Sequence, residues 1–335
     1  MSQRCMSTPR LVVIGASYGG VRAMQILASQ LPKHFPAPIV AVQHIGSFNS
    51  VLPEMMSRNT ALSVSHVNDG EKLRAGHIHV APPDHHVIVE GDVLRLSRGA
   101  KEHHTRPAID PLFRSAAASW GNRVIGVLLT GLLDDGTAGL QAIKERGGVA
   151  VVQDPTDAEM PSMPLSAIRY VHVDRIVTLT EMGTALMSIV SEEPPPPPAI
   201  EEPWIVHENE ILLAEGDFME HLRAIAKPST FVCPDCKGAL WEIDGAQPKR
   251  YRCHTGHAFT LRTLLHSQAE ATDMALWTAY QGLQEKELLL KSLAESHGSA
   301  GEAQEAARLE EEARRVREHG EMLRKMIESL PSPPE

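Results

Sequence analysis

The stretch LVVIG, residues 11–15, offers no polar side chain to either face of a strand, and VIGVLLT (124–130) and VAVVQ (149–153) repeat the pattern with little change. A strand with one wet face alternates polar and apolar residues, so these runs require cover on both sides. IVAVQHI (39–45), HIHVA (77–81) and RIVTL (175–179) read as further strands. Helix-like stretches fall between them: VRAMQILASQL after Ser17, GLQAIKERG after Asp135 and MGTALMSIV near residue 185. The alternation predicts an α/β fold with a doubly wound, mostly parallel, Rossmann-like sheet. HHVIVEGDVLRLSR (85–98) reads instead as an antiparallel hairpin turning at Gly91-Asp92, an excursion on that sheet.

Five successive prolines, Pro194 to Pro198, cannot continue a helix or a central strand. They mark the end of a first domain at 1–190 and the start of a Pro/Glu-rich linker and connecting segment at 191–228. A small Cys/His module is expected over 229–262 and a helical hairpin over 263–330. In the hairpin, Trp277, Tyr280, Leu283 and Leu290 are apolar positions of the first helix. Leu309, Ala313, Val316, Leu323, Ile327 and Leu330 recur at spacings of four and three in the second, with Gly320 filling the missing position. The same stripe would serve self-association.

With a formal charge of −10 over 335 residues and no long Lys/Arg block, a protein that binds nucleic acid by neutralising phosphates is not expected. No apolar run reaches the roughly 18 residues that cross a bilayer, and MSQRCMSTPR lacks a signal-peptide core, so a cytoplasmic protein without membrane insertion is expected. Four cysteines are too few for a disulfide scaffold, and Cys5 has no assigned role.

LVVIGASYGG ends its strand at a small-residue turn holding Ser17. The turn reads as a phosphate cradle, as a helix cap, or as the mount of a nucleophile. Its G-x-x-x-G-G spacing misses the dinucleotide register, and no Walker lysine follows. A serine nucleophile needs a base and a group to orient it. His44 stands at the end of the second strand, and TGLLDDG (130–136) carries Asp134 and Asp135 beyond another. All three elements lie at C-terminal strand ends, where open α/β sheets place their sites.

In order and spacing, IGASYGG (14–20), QHI (43–45), HIHVAPPDHH (77–86), RPAID (106–110), TGLLDDGTAG (130–139), QDP (153–155) and SMP (162–164) resemble the catalytic domain of the chemotaxis protein-glutamate methylesterases, the CheB family. The resemblance covers residues 11 to about 188. It implies a hydrolase that removes methyl esters from glutamates of chemoreceptors, and deamidates certain glutamines, without a catalytic cofactor. It assigns Ser17 as nucleophile, His44 as general base, Asp135 as orienting carboxylate and the Leu132 backbone N–H as an oxyanion donor. Tyr18, Arg106, Leu132 and Met163 would line the substrate groove, where the Arg106 cation would suit acidic receptor helices unless it forms a structural salt bridge. With ten residues ahead of the first strand, the family's phosphoacceptor receiver domain is expected to be absent.

Three departures from the family pattern stand out. Leu133 and Asp134 replace a glycine and an asparagine, Tyr18 replaces a small hydroxyl residue, and Ser162 replaces the glycine of the usual GMP. Asp134 is expected to make the pocket more negative, and the set to reshape the groove.

In FVCPDCKGALWEIDGAQPKRYRCHTGHAFT (231–260), Cys233, Cys236 and Cys253 with His257, in preference to His254, have the spacing of a zinc-ribbon knuckle holding a closed, structural Zn²⁺. Reduced core cysteines and a redox pair are the alternatives. His77, His79, His85, His86, His103 and His104 are read as lying on solvated faces rather than holding a second metal. The expected partner is a methylated chemoreceptor or a similar coiled-coil signalling protein, together with other chemotaxis proteins or a second copy at the C-terminal helices. A noncatalytic signalling adaptor, or an esterase or amidase with another protein substrate, would carry the same fold.

Overall fold

The computed structural model describes residues 9–46, 50–198, 203–213 and 216–330. Cys5 lies outside them. In chain order the fold opens with β1 (Leu11–Ala16), α1 (Gly20–Gln30), β2 (Ile39–Gln43), α2 (Leu52–Ser57), β3 (Ser63–His66), β4 (Glu71–Lys72), β5 (His77–Val80), β6 (His86–Glu90) and β7 (Val93–Ser97). It continues with α3 (Ile109–Trp120), β8 (Val124–Leu128), α4 (Thr137–Glu145), β9 (Val149–Gln153), α5 (Ser162–Tyr170), β10 (Arg175–Val177) and α6 (Leu179–Ser191).

Seven strands form one parallel sheet in the order β10-β9-β8-β1-β2-β5-β3. The apolar runs explain themselves in its two covered faces. Val12 and Ile14 of β1 pack with Ala23, Leu27, Met182 and Leu186 on one side. Leu11 and Val13 pack with Leu112, Phe113, Leu140 and Ile143 on the other. The chain leaves β1 toward β2 on one flank and returns to β8 on the opposite one, which opens a crevice at the C-terminal ends of these three strands.

The hairpin at 85–98 forms and turns where expected, but it does not extend the parallel sheet. β6 and β7 join β4 in a separate three-stranded antiparallel sheet, because Val87 and Val89 bury against the α3 side of the core.

The proline run does not separate one body from another either. Asn122 and Gly147 lie against its backbone, and the chain returns as α7 (Pro203–Leu213) and α8 (Phe218–Ile225) where a connecting segment was expected. Trp204 of α7 donates its indole N–H to Glu145 at 2.9 Å. A four-stranded antiparallel sheet follows in sequential order: β11 (Ala226–Val232), β12 (Ala239–Ile243), β13 (Arg250–Cys253) and β14 (Ala258–Thr260). One compact unit includes the described residues to Leu264, and a second begins at Leu265.

The second unit comprises most of α9 (Leu261–Ser299) and α10 (Ala303–Ser329). Leu290 and Ala294 bury against Leu309, Ala313 and Val316, and Gly320 admits the Tyr280 ring. Leu323 is half-buried, Ile327 buried and Leu330 exposed, so the stripe is covered as far as Ile327. No described helix is long and apolar enough to cross a membrane.

Candidate active site

The chain turns as soon as β1 ends. Gly19 takes a left-handed φ of 75° and caps α1, a conformation that costs glycine nothing and other residues strain. At Gly20 a Cβ would sit 2.1 Å from Gln43 Oε1, so the turn can close only without a side chain there. Ser17 is thereby lifted, half-buried, to the head of α1, its N–H donating to the Thr130 carbonyl at 3.0 Å. Gln43 donates to the Ser17 carbonyl at 2.7 Å and the His44 carbonyl at 3.1 Å, fastening the two loops together.

His44 Nδ1 lies 3.0 Å from Ser17 Oγ, and Nε2 lies 2.7 Å from Asp135 Oδ2. An ionised carboxylate only accepts, so the proton of the neutral ring belongs on Nε2 and Nδ1 is left to accept from the serine hydroxyl. The pairing is the reverse of the familiar serine-protease arrangement, in which Nε2 faces the serine.

Asp135 is enclosed by donors. Its Oδ2 also accepts from Ile109 N–H at 2.7 Å, and its Oδ1 accepts from Asp110 and Gly136 N–H at 3.0 and 2.8 Å. Ile109 and Asp110 open α3, so the RPAID segment sets a helix N-terminus on the carboxylate. Burial pushes the Asp135 pKa up, but the His103 charge, the His44 hydrogen bond and the backbone donors prevail and hold it at about 2.

His103 is a member of this site that its sequence context does not announce. It is buried, with Nε2 2.8 Å from Asp110 Oδ2 and 3.5 Å from Asp135 Oδ1. Burial works against its charge, yet Asp135, Asp110 and Asp134 raise its pKa to about 10, so it stands as an imidazolium beside the triad carboxylate. The expectation of solvated histidine faces is corrected more widely: His77, His79 and His86 are buried too. His77 Nε2 meets Ser65 Oγ at 2.8 Å, His79 Nε2 accepts from Arg74 N–H, and His86 bridges the Ala100 carbonyl and the Ala108 N–H. Burial leads the forces that push His79 and His86 down to about 4, so both are neutral structural donors and acceptors at pH 7.

An open groove of about 560 Å³ runs past the triad, lined by Ser17, Tyr18, Arg22, Gln25, His44 and Leu132 among others. Tyr18 is exposed on its rim and Leu132 edges it beside Ser17. Met163 is instead fully buried beneath the site: its N–H donates to the Gly131 carbonyl, and a Cβ on Gly131 would strike both its sulfur and Ser17. Arg106 does not reach the groove. Its guanidinium is spent on Asp84 at 2.6 and 2.9 Å and on the carbonyls of Arg98 and Gly99. Arg22, exposed on α1, is the cation that lines the groove, and its place in the first turn after Ser17 was the signal for it.

The unusual residues of the 130–136 loop are each answered by another. Leu133 keeps a left-handed φ of 61° despite its side chain, and the Ser162 hydroxyl donates to its carbonyl at 3.0 Å. Asp134 does not make the groove more negative. It is buried and accepts from the Thr260 hydroxyl at 2.8 Å, facing the end of β14. An αL leucine costs about 1–2 kcal/mol, and a glycine there gives back about 0.5–1 kcal/mol through unfolded-chain entropy. Leu133→Gly is therefore expected to raise thermal stability slightly and Leu133→Val, β-branched, to lower it by about 1 kcal/mol. Thermal unfolding of the pair measures this, and a less stable glycine variant would contradict it.

Cys233, Cys236, Cys253 and His257 bring one ligand-type atom each to within 4.8 Å of one another. His254 is exposed and packs over Gly238.

The CheB methylesterase family model matches residues 12–186. A putative protein-glutamate methylesterase/protein-glutamine glutaminase of Leptospira interrogans is 39% identical over 174 residues, 51% of this chain and 90% of that protein. Protein-glutamate methylesterase/protein-glutamine glutaminase 2 of Anaeromyxobacter dehalogenans is 39% identical over 180 residues, 53% of each chain, so this chain spans about half of that relative's length. The crystal structure of the Thermotoga maritima CheB methylesterase catalytic domain aligns with a TM-score of 0.53 at 32% identity, covering 54% of this chain and 99% of that one.

Proposed function

Because the chain belongs to the CheB methylesterase family, we infer that it hydrolyses methyl esters of protein glutamates, with Ser17 as nucleophile, His44 as general base and Asp135 as its orienting carboxylate. The observation that carries this reading is the continuous chain Ser17 Oγ–His44–Asp135, at 3.0 and 2.7 Å, on the floor of an open groove.

Ser17 Oγ attacks the ester carbonyl while Nδ1 of His44 takes its proton. The imidazolium that forms is held by Asp135, which stays ionised. The tetrahedral oxyanion is met by backbone N–H groups, Leu132 among them, whose amide has no acceptor among the described residues. Collapse expels methoxide, which takes the proton from Nδ1 and leaves as methanol. Water, deprotonated by His44, then cleaves the acyl-serine to glutamate and restores the serine. A glutamine side chain would follow the same route with ammonia as leaving group, in keeping with the second activity named for the relatives. These steps use side chains and amides of the chain itself.

The substrate we propose is a methylated chemoreceptor or a like coiled-coil signalling protein in the cytoplasm, with Arg22 and Tyr18 meeting its acidic helix face beside the ester. The helices α9 and α10, with Leu288, Leu289 and Met326 exposed, are candidates for contacts with pathway partners or a second copy. Methanol release from purified methylated chemoreceptor tests the activity. The full chain is expected to release methanol and Ser17→Ala to reduce the rate by about 10⁴-fold or more. Equal, background release by both would favour the noncatalytic adaptor, and equal, rapid release would remove Ser17 from the mechanism.

A further inference from the structure

We propose that Cys233, Cys236, Cys253 and His257 bind one Zn²⁺ in a closed, four-ligand structural site, and that the small sheet folded around it braces the catalytic loop.

Two knuckles carry the ligands. In the first, Lys237 at φ 61° turns the chain after Cys236, with Cys233 N–H donating to the Gly238 carbonyl at 2.8 Å. In the second, Gly256 at φ 99° turns it after Cys253, with Cys253 N–H donating to the His257 carbonyl at 2.9 Å. Backbone N–H groups point at the sulfurs: those of Asp235 and Cys236 at Cys233, of Gly238 at Cys236, and of Thr255 at Cys253.

The spacing of the donor atoms is the strongest indication. Cys236 and Cys253 Sγ are 3.6 Å apart, and His257 Nδ1 lies 3.5 Å from Cys253 Sγ and 3.7 Å from Cys233 Sγ. Zinc bonds of about 2.3 Å to sulfur and about 2.0 Å to nitrogen, at tetrahedral angles, set ligand edges of about 3.8 Å between sulfurs and about 3.5 Å between sulfur and nitrogen. A disulfide would need its sulfurs at about 2.05 Å. Cys233 and Cys253 are fully buried, and with three thiolates and an imidazole no coordination position is left for water, which fits a folding role rather than hydrolysis. On the far side of the ring, an Asp235 carboxylate oxygen stands 3.9 Å from Nε2, on the side where outer carboxylates steady ligating histidines.

The consequence for the active site follows from the chain. His257 leads directly into β14, whose last residue, Thr260, holds Asp134 of the catalytic loop, while Thr263 Oγ1 lies 3.4 Å from His103 Nδ1. The small core beneath consists of Leu240, Tyr251, Phe259 and Leu264 with the cysteines, too few apolar side chains to fix the two knuckles alone.

The test is elemental analysis of the full chain purified without added metal, with absorption spectra after exchange for Co²⁺. About one zinc per chain, and a cobalt spectrum with thiolate charge-transfer bands, are expected. Cys253→Ser and His257→Ala should lose the metal, whereas His254→Ala should keep it. Zinc-free chain with all four thiols titratable, Cys5 included, or with a Cys233–Cys236 disulfide, would overturn the site, as would retention of zinc by both ligand variants. These readouts stand apart from esterase activity. If metal is present as stated, chelation should lower methanol release in parallel with zinc loss; unchanged turnover of zinc-free chain would overturn the bracing of the loop alone.

Discussion

Asp135→Asn is expected to reduce kcat by about 10⁴-fold with the fold intact. Both oxygens of Asp135 accept, and four N–H groups converge on them, from Ile109, Asp110, Gly136 and His44. An asparagine must aim its NH₂ at one side of this ring of donors. Turned toward His44, it demands an acceptor at Nε2 and so moves the ring proton to Nδ1, where it blocks the transfer from Ser17. Turned toward the start of α3, it opposes two backbone donors and shifts the carboxamide away from the imidazole. Asp134→Asn, by contrast, keeps an acceptor for Thr260 and touches no member of the triad, so its kcat should change by less than about tenfold. Steady-state methanol release by the two variants, with thermal melts to show that each is folded, distinguishes the neighbouring aspartates. A tolerant Asp135→Asn beside an inactive Asp134→Asn would reverse the assignment.

The second large effect concerns stability. Five charged side chains are buried where the catalytic domain, α7 and the small sheet meet: Arg114, Glu102, Glu208, Arg250 and Arg252. Glu102 accepts from both Arg114 and Arg252 at 2.9 Å, and Glu208 accepts from Arg250 at 2.8 Å and Arg252 at 3.2 Å. Burial pushes both carboxyls up, but the arginines outweigh it, holding Glu102 well below its ordinary range and Glu208 at about 2. Glu102→Ala would leave three guanidinium groups facing one carboxylate out of reach of water, which costs about 3–5 kcal/mol. Denaturant unfolding should show this loss in the first compact unit, and adding Arg252→Ala should recover some of it, since the pair is coupled. A loss below about 1 kcal/mol would mean that the charges are solvated. Because the Glu208 pKa is lowered from 4.5 to about 2, its share of stability is present above pH 4.5 and is lost as pH falls toward 2.

The regions of this protein that are legible in its sequence are those in which local pattern and function coincide. LVVIG, VIGVLLT and VAVVQ are apolar on both faces because helices cover both, and that alone points to a parallel sheet and to a site at its C-terminal edge. What stays hidden depends on partners distant in the chain. PWIVHENEILL falls inside what reads as a Pro/Glu-rich connecting segment, yet it is a helix whose Glu208 is buried by arginines more than forty positions later. His103 has an equally polar neighbour in His104, and only the folded chain sets it beside Asp110 and Asp135. Asp134 reads as a groove residue because its neighbour Asp135 faces the site, but the left-handed turn at Leu133 directs it to Thr260. Arg106 reads as a groove cation on its charge, and Asp84 together with the carbonyls of Arg98 and Gly99 removes it.

The proposed role of Ser17 as a nucleophile primed by His44 is the point on which the chemistry turns. Treating the full chain with a fluorophosphonate and mapping the adduct by peptide mass spectrometry tests it without any assumption about the protein substrate. One adduct, on Ser17, is the expected result, absent from Ser17→Ala and formed far more slowly in His44→Gln. Modification of a different serine, or an unlabelled chain that still releases methanol from methylated receptor, would contradict it.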